Sequence, residues 1–257
     1  MPHPKPFYRT FRGMKPSPNS GYSQRAYVRD KEYASSPLHY IRAFNIIQSD
    51  LQRIFEYVEP SDESKGSYSY RIHELLMRTC IEVEANLKAI LNANTYTPEI
   101  KYGKPFFNIK VYQKVDVTHH LSSYQVLLPI WHGPKKFWKP FEGWKQEAKG
   151  LPWYQAYNSS KHDRQEAFKS ANLEMLISAV AGLLVVLSSQ FITEDFSSGA
   201  DLISAGGDDY HDLEPALGGL FRIKFPDDWA EDELYEFNWS VLKNEQDRFQ
   251  KFDYDAN

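Results

Sequence analysis

Between Trp153 and Arg164 the chain gathers three aromatics (Trp153, Tyr154, Tyr157) with Asn158, Lys161, His162 and Arg164. Histidine exchanges a proton near neutral pH and is the usual side chain for moving one during a reaction. Lysine and arginine bring positive charge to developing negative charge, arginine through a fork that holds two oxygens at once. If the segment is one helix, Tyr157, Lys161 and Arg164 lie along one face, at i, i+4 and i+7, and Asn158 and His162 along another, at i and i+4. Tyr157 and His162, five residues apart, then diverge by about 140°. The competing reading is structural. Asn158 and His162 satisfy backbone groups at a helix junction, while Trp153 and Tyr157 pack inward.

A site of this kind needs rigid elements to hold it. Apolar residues recur every three or four positions in Tyr40, Ile41, Phe44, Ile47, Leu51, Ile54, Phe55 and Val58, which predicts an amphipathic helix opening at Ser36-Pro37 and closing before Pro60. Ile72, Leu75, Leu76, Thr79, Cys80, Val83, Leu87, Ile90 and Leu91 form a second stripe, in a helix starting near Tyr68–Arg71, with Glu84 and Lys88 as an exposed i,i+4 pair. The short connection makes the two antiparallel neighbours. The candidate segment is helical from about Pro152. The next helix, about 166–192, is apolar on nearly every side and belongs at the centre. Its run Met175–Leu187 falls short of a bilayer span, so it reads as core.

Residues 99–150 change character. Phe106–Val117, alternating in Asn108–Val115, and Tyr124–Trp131 have strand-like composition, giving an inserted two-stranded ribbon. Phe137, Trp138, Phe141 and Trp144 attach it to the helices. Leu220–Phe225 reads as a short strand. Within residues 196–219, rich in Gly, Asp and Ser, Gly206-Gly207-Asp208-Asp209 is no phosphate loop, since no lysine follows and the surroundings are acidic. The expected organisation is an extended basic arm over residues 1–35, a helical body over 36–192 interrupted by 99–150, and an irregular, acidic and aromatic C-terminal region over 193–257.

The net charge of −4 is unevenly placed. Residues 1–37 carry seven Lys/Arg against two Asp/Glu, whereas residues 194–257 carry five against seventeen. The arm can meet nucleic acid or lie on the acidic region of its own chain or of a second copy. The single cysteine, Cys80, excludes an internal disulfide and fits a reducing, cytoplasmic home and a buried thiol. The start, Met-Pro-His-Pro-Lys-Pro, has no apolar leader, and no membrane role is expected. His119, His120 and His132 come with no cysteine, and no metal is assigned to them.

The order helix, helix, Tyr157-Asn158-x-x-Lys161-His162, apolar helix resembles the HEPN superfamily over roughly residues 36–192 less the insertion. Asn158 stands at the polar position of that family's motif and His162 at its histidine; Tyr157 occupies the place of its arginine. The resemblance implies a mainly α protein built on an up-and-down four-helix bundle, and a homodimer. It also implies a metal-independent endoribonuclease with no organic cofactor, at work in a defence, toxin or stress module beside an antitoxin or other protein partner. Cleavage through the 2′-hydroxyl of RNA would use His162 for proton transfer, Asn158 to orient it or the phosphate, and Lys161 and Arg164 for charge. Some members add an Arg and a Glu from an earlier helix, a role open here to Arg71 and Glu74, which otherwise form a helix-surface pair. The loss of the arginine favours a second reading, a catalytically silent interaction or RNA-binding scaffold.

Overall fold

A computed structural model describes residues 1–145, 150–196 and 213–256; Gly206-Gly207-Asp208-Asp209 lies outside them. The protein is mainly α, with small antiparallel sheets. The helices are α1 (Ser20–Ala26), α2 (Pro37–Phe55), α3 (Tyr70–Ala93), α4 (Ile109–Gln113), α5 (Asp116–His119), α6 (Pro152–His162), α7 (Arg164–Ala167), α8 (Leu173–Phe191) and α9 (Trp239–Leu242).

The two long stripes fold as read. Helix α2 buries Ile41, Phe44, Ile47, Leu51 and Ile54, and α3 buries Ile72, Leu75, Leu76, Val83, Leu87 and Ile90, with Cys80 among them. Ser36 does not cap α2: its backbone is left-handed (φ 51°) and its side chain makes no cap bond, so Pro37 alone opens the helix. Ser69 caps α3 by accepting from the Ile72 N–H. Helix α8 is the hub. It packs most extensively on α3 and also touches α2 and α6, while α3 meets α2 and α6. Sixteen of its nineteen residues are buried. Contrary to the reading of its apolar run, α8 is long enough to cross a membrane; burial of 83% of its apolar window inside the fold identifies it as core. Each fully buried Leu, Ile or Val contributes about 1.5–3 kcal/mol.

The expected ribbon is replaced. Much of the Phe106–Val117 stretch is helical, because Asn108 accepts from the N–H groups of Lys110 and Val111 and so starts α4. Only Gln125–Leu127 (β3) of the second stretch is a strand. A separate small hairpin pairs β1 (Ile100–Lys101) with β2 (Lys104–Pro105). Strand β3 joins a four-stranded antiparallel sheet in the order β4 (Phe137–Trp138), β3, β6 (Arg222–Lys224), β5 (Glu214–Pro215). The register Val126↔Ile223 ties the insertion to the C-terminal region. Trp138, Phe141 and Trp144 are buried as expected, whereas Phe137 is exposed. Glu84 and Lys88 go to other partners: Glu84 accepts from the Tyr154 hydroxyl at 2.7 Å, and the Lys88 ammonium lies 4.9 Å from the Phe107 ring centre.

The arm is ordered by the acidic region of the same chain. Backbone bridges join His3 and Met14 to Tyr235 and Phe7 to Gln250. Lys5 pairs with Glu245 and Asp247 (3.0 and 2.9 Å), and Lys15 with Glu231 (3.1 Å). Arg248 answers in reverse, at 2.9 Å from Asp30 and 3.1 Å from Glu32. Beneath these pairs Phe7, Tyr27, Tyr33, Tyr235, Trp239 and Phe249 join the same apolar core as the helices.

Candidate functional site

Helix α6 is set by its buried face. Trp153, Tyr154, Ala156, Tyr157 and Ser160 are buried, the spacing of one helical side. Trp153 donates to the Pro140 carbonyl (2.8 Å) and lies against α8 at Gly182, where a Cβ would come within 3.3 Å of its ring. Lys161 and His162 occupy the last turn, where positive charge suits the helix dipole. The chain then breaks: Asp163 accepts from the Glu166 N–H and starts α7, a 3-10 turn follows over Phe168–Ser170, and Asn172 caps α8 by accepting from Met175. The single helix expected from about 166 is therefore two short turns and a later start.

Tyr157, at the position of the motif arginine, is 2% exposed. Its hydroxyl accepts from the Lys161 ammonium at 3.3 Å, which also lies 5.1 Å from the ring centre. Burial raises the Tyr157 pKa, against the pull of Lys161. The same hydrogen bond raises that of Lys161. Asn158 is half-buried and His162 exposed. Among the described residues His162 makes no hydrogen bond, so it does not serve as a backbone plug. The Arg164 side chain lies outside what is described.

Arg71 and Glu74 lie on a different side of α3 from the residues that meet α6 and the turn after it. On α3, Glu84 and His73 face α6 and the turn after it: Glu84 binds Tyr154, and the His73 ring lies 5.6 Å from that of Phe168. Arg71 and Glu74 sit on another side, lining a cleft with α2 and pairing with each other at 3.1 Å. The i,i+3 spacing was legible; which neighbour that side would meet was not.

Near the α6–α8 connection the surface is aromatic, with Lys169 exposed beside the acids Asp163 and Glu166. Tyr68 and Tyr70, 45% and 68% exposed, pack against Phe168 with ring centres 5.7 and 5.0 Å away. The Lys169 ammonium lies 6.0 Å from the Tyr68 ring centre.

The histidines proposed and set aside as metal ligands have separate partners. His119 is fully buried, with Nδ1 2.7 Å from the Thr118 hydroxyl and Nε2 donating to the Arg9 carbonyl at 2.9 Å; burial lowers its pKa to about 3. His120 lies between Asp228 and Glu233, 3.1 Å from each, and stacks on Trp229 with ring centres 3.8 Å apart. His132 meets Glu59 at 3.3 Å. No His/Cys/Asp/Glu group among the described residues has a metal-binding arrangement.

A cleft of about 710 Å³ opens between α2 and α3. Reading the sequence for Arg71 and Glu74 missed its other charged residues, Asp50, Arg53, Glu56 and Arg78. Their signal was the same-face spacing 50/53 on one helix and 71/74/78 on the next.

No family model, no curated protein and no solved structure matches the chain.

Proposed function

We propose that the chain is a HEPN-like helical scaffold that binds RNA without cleaving it. The observation that carries this reading is the Tyr157–Lys161 contact. The position where the family's motif has an arginine holds a buried phenol, and the neighbouring cation is engaged with it, so neither presents a fork to a phosphate. The exposed Tyr68 and Tyr70 beside Lys169 support binding, since unpaired bases stack on aromatic rings while cations follow the phosphates. The basic arm is occupied by the acidic region and contributes little to this surface. Homodimerisation, an antitoxin-like partner and a cytoplasmic setting in a defence or stress module belong to the same proposal.

Incubation with total RNA in EDTA tests it, comparing the native protein with His162→Ala. RNA retained by both proteins and cleaved by neither is the expected result. Cleavage by the native protein that His162→Ala lacks would instead establish the alternative, a ribonuclease. The exposure of His162 at the end of α6 favours that alternative.

A further inference from the structure

We propose that the cleft between α2 and α3 binds a small organic anion with an apolar body. This does not rest on the RNA reading, because the cleft lies on the side of α3 turned away from α6.

The floor is apolar, formed by Ile54, Val58 and Leu75. Above it one carboxylate serves two guanidinium groups: Asp50 pairs with Arg53 at 3.1 Å and with Arg78 across the helix pair. That cluster therefore carries one positive charge in excess. Arg78 keeps a buried Nε that makes no hydrogen bond to the described residues.

The start of α3 adds to this field. Ser69, its N-cap, lines the cleft. The first turn contains no acid and instead carries Arg71. Helix N-termini are partly positive, so an arginine there opposes its own helix and an incoming anion would relieve the conflict. The acid facing Arg71 is Glu74, but both are largely exposed (83% and 64%), and exposed pairs are weak. Arg71 is thus free to exchange Glu74 for a ligand. Glu56 is exposed at the same opening and disfavours anions that remain at the surface, whereas the Arg53–Asp50–Arg78 cluster favours one seated on the floor. Tyr57, 86% exposed, offers a ring at the rim. A volume of about 710 Å³ falls in the range of small-molecule sites.

The test uses 1-anilinonaphthalene-8-sulfonate, an apolar ring system with one sulfonate, and its uncharged counterpart N-phenyl-1-naphthylamine, titrated into the full chain by fluorescence. The sulfonate is expected to saturate at one site per chain. Arg53→Gln and Arg78→Met each weaken it by about two- to fivefold, and Asp50→Asn tightens it by a similar factor, the range that an exposed charge pair spans. The uncharged probe stays unchanged across the set. Opposite signs separate a charge effect from damage, and melting curves confirm that each variant folds; Arg53→Gln, on an exposed helix surface, serves if Arg78→Met does not. Lack of saturation, insensitivity to all three substitutions, or parallel responses of both probes would overturn the proposal. Parallel responses would mark a plain apolar patch, open to a segment of another chain.

Discussion

The Lys161 ammonium and the Tyr157 hydroxyl, one turn apart on α6, meet at 3.3 Å. The contact holds the cation at the flank of α6 and leaves His162, the next residue, without a partner among those described. Tyr157→Phe should release Lys161 and cost at most about 1 kcal/mol, because the ammonium is solvated. NMR titration of the Lys161 side chain should show its pKa falling, since this hydrogen bond is the first cause raising it. Tyr157→Arg, which restores the family's residue, places a charge at a site 2% exposed. It should destabilise by at least about 2 kcal/mol in thermal denaturation.

His119 sets an acid limit on stability. Its pKa is about 3 in the fold and 6.5 ordinarily, with burial as the main cause. The unfolded chain therefore takes up a proton below pH 6.5 that the native state refuses. Its contribution to stability is complete above 6.5 and lost as pH falls towards the folded value, at up to about 1.4 kcal/mol per pH unit. Denaturant melts of His119→Gln should show lower stability at neutral pH and an acid limb shallower by one proton. Equal slopes in the two proteins would refute this.

The arm is held mainly by its aromatics, with its charges secondary. Tyr235 is fully buried; its hydroxyl donates to the Thr10 carbonyl and accepts from the Phe7 N–H, both at 3.0 Å. Tyr235→Phe leaves two backbone groups short of a partner and should cost about 1–3 kcal/mol. Lys5→Ala with Lys15→Ala removes only surface pairs screened by solvent and should cost clearly less than Tyr235→Phe. Urea denaturation of the two variants orders the effects, and a larger loss from the lysines would reverse the assignment.

Arg9 is 2% exposed and strained, with φ at 56°. Its guanidinium donates to the Gln190 side-chain oxygen (2.6 Å) and the Ser35 carbonyl (3.0 Å) and lies over Tyr40, 4.8 Å from the ring centre. A lysine cannot reproduce that fork. Arg9→Lys should cost about 1–3 kcal/mol and Arg9→Ala more, by calorimetry, because the buried Gln190 side-chain oxygen is left without its donor.

Helices α2 and α3 could be read from the chain because each buries a periodic stripe, and α8 because it is apolar on nearly every side. The 99–150 region could not. In Asn108–Val115 the alternation that reads as a strand also places Tyr112 and Val115 three apart, on one helical side, and the Asn108 cap decides between the two. Strand β3 takes β6 as a neighbour about a hundred residues later, and composition carries no information on so distant a partner. At the candidate site, the inward packing of Trp153 and Tyr157 followed from their spacing. The placement of Arg71 in the cleft with α2 did not, because it depends on which helix each side of α3 meets.

The pairing of residues 3–14 with 235–250 also bears on synthesis. A ribosome makes the arm before its sites on Tyr235 and Gln250, which appear more than two hundred residues later. Until they emerge, Phe7 lacks the Tyr235 hydroxyl that its N–H donates to, so the seating of the first residues comes late in folding, although Arg9 can meet Ser35 and Gln190 sooner.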